Sequence, residues 1–530
     1  MIFTSPYPSV EIPDVSLPSY VLRRAATLGD KPALVDGPSG RTVTYRQLLS
    51  AVGSVAAGLH QRGLKKGEVF AIYAPNIPEY AIAFHAVGRL GAVCTTANPL
   101  YTAEELAFQL NDSGARFLLT IPQLLDKAQE AAAHSKVEEV FVFGEAAGAT
   151  PFASLMSSEP APEVAINPAE DVVAMPYSSG TTGVPKGVML THRNLVANLC
   201  QCVTEPMNEQ DTLIGILPLY HIYGMELILN LAVASGSTVV TMPRFDMEQF
   251  LSLMQDYGVT RAYVAPPLVL ALAKHPLVDK YKLDKLKVVM SGAAPLSAAL
   301  AIACAERLGC NVKQGYGMTE TSPVTHINPD ESELIKQGSI GVPMPLTEVK
   351  VVDPESGREL GAGETGEICI RGPQVMKGYL NNPAATASMI EPDGWLHTGD
   401  LGYADADGYF YIVDRLKELI KYKGFQVAPA ELEAILLTHP AVADAAVIPV
   451  ADEEAGEVPK AYVVLRGEAT PEQIMAYVAG RVSPQKRVRL LEVTDVIPKS
   501  SSGKILRRVL REQERARQQP QIADTSDGII

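Results

Sequence analysis

Asp171-Val-Val-Ala-Met-Pro-Tyr-Ser-Ser-Gly-Thr-Thr-Gly-Val-Pro-Lys-Gly-Val-Met-Leu190 is an apolar run, a loop of glycines and hydroxyls, one lysine, and a second apolar run. Glycines let a backbone approach phosphate oxygens, hydroxyls and amides donate to them, and Lys186 supplies charge. The loop is not of the Walker A type, in which the lysine stands between Gly and Ser or Thr at the start of a helix. Here Pro185 precedes the lysine and Gly187–Leu190 reads as a strand, so the loop joins two strands. On composition alone, a flexible Gly/Thr turn is an equal reading.

Outward from this stretch, the first four hundred residues alternate helix-like and strand-like segments. Thr44–Gly63 opens on a threonine cap, spaces apolar residues at helical intervals and stops at glycine. Glu68–Pro75 is a short β-rich run, and the same beat returns through Phe117–Ile121, Glu139–Gly144, Ser237–Pro243, Arg261–Pro267 and Lys287–Gly292. The expected fold is α/β with largely parallel sheets, whose ligands bind on loops at the carboxyl ends of the strands. Past about Gly338 the segments become short and β-rich, predicting a β subdomain. A further change near Asp414–Lys417 predicts a small α+β domain with a slight excess of basic residues. The expected division is residues 1–414, a small domain over 415–511, and a frayed tail over 512–530.

A chain of 530 residues is too long for one core. Its net charge of −15 argues against a nucleic-acid partner bound through a global positive field. The longest apolar stretch, Leu213–Val240, is broken by His221, Glu226 and Asn230, so no membrane span is expected. No secretion signal is read at the start, and six sparse cysteines without a CxxC pair predict reduced thiols in a cytoplasmic protein. Nothing in the sequence decides between monomer and dimer.

The string Ser178–Gly187 resembles the phosphate-loop signature of the adenylate-forming enzymes: acyl-CoA synthetases, beetle luciferases and adenylation domains. Four further strings match in order: Gln314–Glu320, Gly394–Asp400, Asp414–Gln426 and Pro498–Lys504. Gly366-Glu-Ile-Cys-Ile-Arg-Gly372 and Leu217-Pro-Leu-Tyr-His-Ile-Tyr-Gly224 are similar to the 4-coumarate–CoA ligase and cinnamate–CoA ligase group. The resemblance implies two half-reactions: ATP and a carboxylic acid give an acyl-adenylate and pyrophosphate, then coenzyme A takes the acyl group and AMP leaves. Fixed positive charge and positioning dominate such chemistry, because two anions must meet.

The resemblance also implies roles. Ser178, Ser179, Gly180, Thr181, Thr182 and Lys186 would face the phosphates, and Thr319 and Glu320 the phosphates with Mg²⁺. Gln314, Gly315 and Tyr316 would surround the adenine, and Asp400 and Arg415 would hold the ribose. Lys504 would bridge carboxylate and phosphate oxygens in the first half-reaction. Lys417 matches the hinge, Lys421 and Gln426 the thioester-forming contacts, and Lys423, Gly424 and Arg244 the coenzyme A side. His221 would lie near the reacting carboxylate, although a buried aromatic-cluster histidine fits the residues too. His397 reads as a structural turn histidine. Tyr220, Tyr223, Met225, Met290, Ala293, Ala294, Gly317, Pro323 and Val324 would wall the acid pocket, the small ones leaving a flat slot for an aromatic ring. The expected substrate is a 4-coumarate or cinnamate type acid; a medium-chain fatty acid, or a free carrier protein as acceptor, is the alternative. Oxidation of the adenylate and a catalytically silent nucleotide-binding protein also remain open on sequence alone.

Overall fold

The computed structural model describes residues 1–178, 185–423, 425–452, 454–500 and 503–518. The chain divides into two compact units: Met1–Thr398 with Tyr403–Tyr411, and Gly399–Gly402 with everything from Ile412 on. The division falls three residues before the sequence-based boundary at 414. It also takes Gly399–Gly402, and with it Asp400, into the second unit.

In the first unit, helix Tyr45–Gln61 shows how local sequence sets the frame. The Thr44 hydroxyl accepts from the Gln47 amide, the Gln47 side chain accepts from the Thr44 amide, and Leu48, Val52, Val55 and Leu59 turn inward. An eight-stranded sheet runs Gly378–Tyr379, Lys186–Thr191, Val172–Ser178, Val93–Thr96, Val69–Tyr73, Ala115–Thr120, Glu139–Val142, Thr150–Pro151. A nine-stranded sheet runs Val342–Pro343, Val324–Ile327, Asn311–Gly317, Val288–Ser291, Arg261–Val264, Thr212–Gly215, Thr238–Thr241, Pro32–Asp36, Thr42–Thr44. Their centres are parallel, as expected for strands joined through helices. Antiparallel pairs stand at three of the four sheet ends, as where the short connection from Asn311–Gly317 to Val324–Ile327 leaves room only for a hairpin, while Thr150–Pro151 pairs in parallel with Glu139–Val142. Between these sheets lies one apolar cluster that includes Phe70, Ile72, Val188, Leu217, Met290 and Ile327.

A buried ionic cluster anchors the strand Asn311–Gly317. Lys313, with no solvent exposure, pairs with Glu205 and lies 2.5 Å from Asp330. Arg261 reaches Glu205 at 3.2 Å and also pairs with Asp330, while the Tyr263 hydroxyl donates to Glu205 at 2.7 Å. Between Met225 and Leu231 the chain widens into π-helix. The β subdomain is a sheet ordered Ile2–Thr4, Glu348–Val352, Gly366–Arg371, Leu396–Ala404, Phe410–Arg415.

The second unit is α+β. Strands Val442–Asp452 and Gly456–Leu465 form its longest ladder, with Ile420–Tyr422, Phe425–Val427 and Leu490–Val493 added. Helices Pro429–Leu437 and Pro471–Ala479 bury Leu432, Leu436, Ile474 and Val478 against them. Of the tail expected to fray over 512–530, the part up to Gln518 belongs to the helix Arg507–Gln518, and residues 519–530 lie outside the described residues. The helix docks through Leu510 and through Glu514, which accepts from Lys460 at 2.6 Å and from the Tyr462 hydroxyl at 2.8 Å. No helix among the described residues is long and apolar enough to cross a membrane, and all six cysteines are free thiols.

Candidate active site

The glycine- and hydroxyl-rich loop is closed by an antiparallel hairpin in which Ser178 faces Lys186 and Tyr177 faces Gly187. Ser179, Gly180, Thr181 and Thr182 lie outside the described residues. Lys186 stands at the first position of the return strand, with its ammonium 5.1 Å from the Tyr379 ring centroid. The Tyr379 hydroxyl in turn donates to Glu320 Oε1 at 2.8 Å. Lysine and carboxylate are thus held by one aromatic ring from a strand that the sequence reading did not single out. Glu320 is 3% exposed, in the short turn Thr319–Thr321.

Gln314, Gly315, Tyr316 and Gly317 follow one another on the Asn311–Gly317 strand. The buried Gln314 accepts from the Leu296 amide through Oε1 at 3.0 Å, while its Nε2 has no hydrogen-bond partner among the described residues. That amide is a donor available to a ligand, since a buried polar group left unpaired costs free energy. Tyr316 is half-buried, its ring 5.9 Å from that of His326. Gly317 departs from the expectation of a small residue that leaves pocket space. A Cβ there would lie 2.0 Å from the Pro323 carbonyl oxygen, so the glycine is required by the close approach of two backbones.

On the expected acid side, His221 caps a short helix, its Nδ1 accepting from the Tyr223 amide at 3.3 Å. Tyr223 donates to the Met290 carbonyl at 3.2 Å, and its ring lies so close to Gly292 that a Cβ there would meet it at 3.0 Å. Tyr220 is half-buried, and its carbonyl accepts from the Thr96 hydroxyl at 2.7 Å. Ala293 is exposed with φ of 69°, in the left-handed region, and Ala294 is half-buried. Met225, Met290 and Val324 belong to the main apolar core, whereas the Pro323 carbonyl is fixed by the Met318 amide and the Thr321 hydroxyl. Arg244 is exposed on the loop before helix Met247–Asp256.

In the second unit, Arg415 Nε lies 3.1 Å from Asp400 Oδ1, and Asp400 is 5% exposed. Lys504 sits in a turn closed by its own carbonyl on the Ser500 amide at 2.8 Å and by its amide on the Ser500 hydroxyl at 3.1 Å. Burial lowers the Lys504 ammonium to about 8, helped by the positive charge of Arg415 and opposed by Glu418 and Asp400. Lys421 and Gln426 face each other across the hairpin Ile420–Tyr422 and Phe425–Val427, both exposed. Lys423 pairs with Glu454, Lys417 is exposed, and Gly424 lies outside the described residues.

Besides Tyr379, sequence reading assigned no site role to four further polar groups. Glu226 and Asn230 bond to each other at 2.8 Å inside the π-helix, burial holding the Glu226 carboxyl well above its usual range. Glu418 and Glu433 hold Arg507 beside the Lys504 turn. Only the four-residue spacing of Glu226 and Asn230 within an apolar run was a signal. His397, expected in a turn, is a strand residue gripped by Glu367 at 2.9 Å and Glu391 at 2.7 Å.

Residues 21–380 match the family described as AMP-binding enzyme, and residues 431–504 match the AMP-binding enzyme C-terminal domain. The chain belongs to the AMP-binding enzyme family. Among curated relatives of this AMP-binding enzyme is 4-coumarate–CoA ligase 1 of Petroselinum crispum, 45% identical over 525 residues, 96% of each chain. Another is 4-coumarate–CoA ligase 5 of Oryza sativa subsp. japonica, 45% identical over 524 residues, 96% of this chain and 97% of the relative. Its fold is similar to that of the anthranilate CoA ligase AuaEII in complex with anthranoyl-AMP, with a TM-score of 0.87 at 28% identity, covering 94% of this chain and 97% of that one. It is similar also to ATP-bound MatB from Rhodopseudomonas palustris, with a TM-score of 0.86 at 30% identity, covering 94% and 99%.

Proposed function

We propose that this AMP-binding enzyme is an ATP-dependent acid–CoA ligase acting on 4-coumarate-type aryl propenoic acids. The observation that carries the reading is identity of 45% over 96% of the chain to 4-coumarate–CoA ligases. ATP, Mg²⁺ and coenzyme A serve it, with the carboxylic acid as small-molecule partner. A carboxylate is a poor acyl donor because oxide is a poor leaving group; adenylation replaces oxide by AMP.

In this reading, Lys504 brings a positive charge between the carboxylate and the α-phosphate oxygens and stabilises the charge that develops there. Asp400 accepts from the ribose hydroxyls, kept in place by Arg415. The unpaired Gln314 amide donates to the adenine, and Lys186 and the hydroxyls of Ser178–Thr182 hold the phosphates. Mg²⁺ takes one or two carboxylates plus phosphate oxygens, and the buried Glu320, with Tyr379 donating to one of its oxygens, fits that donor set. When bound, the ion neutralises phosphate charge. Lys421 and Gln426 serve the thioester step, with Lys417 as hinge, Lys423, Gly424 and Arg244 toward coenzyme A, and His221 near the acyl carbonyl. Tyr220, Tyr223, Ala293, Ala294 and Pro323 border the acid, with Met225, Met290, Gly317 and Val324 behind them. The free thiols support a cytoplasmic location.

Pyrophosphate release from a panel of cinnamic, benzoic and fatty acids, with and without coenzyme A, tests the proposal. Fastest turnover with a hydroxycinnamate, and a CoA thioester as product, is expected. Faster turnover of medium-chain fatty acids would move the specificity to that class. Adenylate without any thioester would point to a carrier-protein acceptor.

A further inference from the structure

The β subdomain holds a cluster that the adenylation chemistry does not use. Glu367 and Cys369 stand two apart on strand Gly366–Arg371 and so share one face. His397 comes from the neighbouring strand Leu396–Ala404. Its Nδ1 lies 2.9 Å from Glu367 Oε2 and 3.5 Å from Cys369 Sγ, and the three ligand atoms fall within 4.8 Å of one another. Its Nε2 lies 2.7 Å from Glu391 Oε1. We propose that Glu367, Cys369 and His397 form a Zn²⁺ site, with water as the fourth ligand.

Three features carry this. Tetrahedral zinc with bonds of about 2.0–2.3 Å sets its ligand atoms about 3.3–3.8 Å apart, which the observed separations approach with small side-chain rotations. Sulfur with imidazole selects a borderline-soft ion over Mg²⁺ or Ca²⁺. The decisive feature is the far side of the ring: a ligating histidine almost always donates its other N–H to a carboxylate, and Glu391 sits there. That contact fixes the tautomer with Nδ1 directed at Glu367 and Cys369.

Cys369 is buried against Val352 and Trp395. Zn²⁺ would form bonds to Nδ1, Sγ and a Glu367 oxygen, any proton on Nδ1 or Sγ passing to solvent. Lys350, 3.5 Å from Glu391, balances the second carboxylate. The ion would tie the Gly366–Arg371 strand to the strand that carries Asp400 three residues beyond His397.

The test uses the full-length protein, stripped with a chelator and dialysed against Zn²⁺ or Co²⁺ with a phosphine reductant. One equivalent of metal is expected to remain, with a near-ultraviolet thiolate-to-cobalt charge-transfer band and one sulfur in the zinc X-ray absorption shell. Cys369→Ser is expected to lose the band while keeping its far-ultraviolet dichroism. A zinc shell of nitrogen and oxygen alone, no retained metal, or an undiminished band in Cys369→Ser would each overturn the proposal. Should Cys369→Ser fail to fold, Glu367→Gln, which alters no sulfur, takes its place: a weakened band supports the site and an unchanged one refutes it.

Discussion

Lys504 is held in a closed turn where burial and the charge of Arg415 both oppose its own proton. If it is the cation of the first half-reaction, Lys504→Ala lowers adenylation by about 10²-fold or more. Thioester formation from a supplied acyl-adenylate is then less affected; equal losses in both assays would remove the assignment. A pH profile probes the same residue. With its value lowered to about 8, the free enzyme loses this charge as pH rises, so kcat/KM for adenylation falls above about pH 8. Lys504→Arg, which keeps its proton, moves that limb upward. For stability the sign is opposite. Between about 8 and the ordinary lysine value near ~10.4, the folded state binds fewer protons than the unfolded, so this residue's contribution rises with pH. Lys504 and Asp400 were singled out in the sequence only because the strings that carry them resemble those of the adenylate-forming enzymes. Tyr379 was not, since its tie to Glu320 crosses 59 positions of sequence and leaves no local trace.

Elements carry a second kind of constraint. Two glycines on the strand Asn311–Gly317 look alike in sequence but differ in what stands opposite them. A Cβ at Gly315 would lie 2.4 Å from the Met290 terminal methyl, which can swing away, and 3.2 Å from the His326 carbonyl. At Gly317 it would strike the Pro323 backbone. Thermal denaturation should show Gly317→Ala losing roughly 1–3 kcal/mol or more, and Gly315→Ala losing clearly less. The same strand is pinned by Lys313. Glu205→Gln strips the charge shared by Lys313 and Arg261 and is expected to cost about 3–5 kcal/mol by denaturant unfolding. A loss under about 1 kcal/mol would mean that Asp330, with Asp211 beside Arg261, satisfies both cations. The parallel strands at the sheet centres could be read from short β-rich runs between helices. The antiparallel pairs at three of the four sheet ends could not, because direction depends on how the chain connects two strands rather than on strand composition.

For the molecule as a whole, the sequence marked a change of texture at 414 and the division lies at Tyr411 and Ile412, with Gly399–Gly402 transferred. Charge and periodicity register the start of a new domain, but not that an earlier strand is shared between two units. The strand Ile2–Thr4 was invisible for a similar reason, since its partner is Glu348–Val352. If Lys417 is the pivot between half-reactions, Lys417→Pro should still release pyrophosphate on adenylate formation while CoA-dependent turnover is lost. Full turnover in that variant would argue for chemistry in a single arrangement.

The widened coil at Met225–Leu231 spends more residues per turn than an ordinary helix, and it does so immediately after His221 and Tyr223. Deleting one residue there would rewind the segment and swing the downstream side chains by about 100°. Glu226 and Asn230 would then no longer meet in their present pairing, and a different set of side chains would back the aromatic pair. The chain therefore carries a length-based adjustment beside its proposed acid cavity: a codon gained or lost could recut that wall where no single exchange of side chain would.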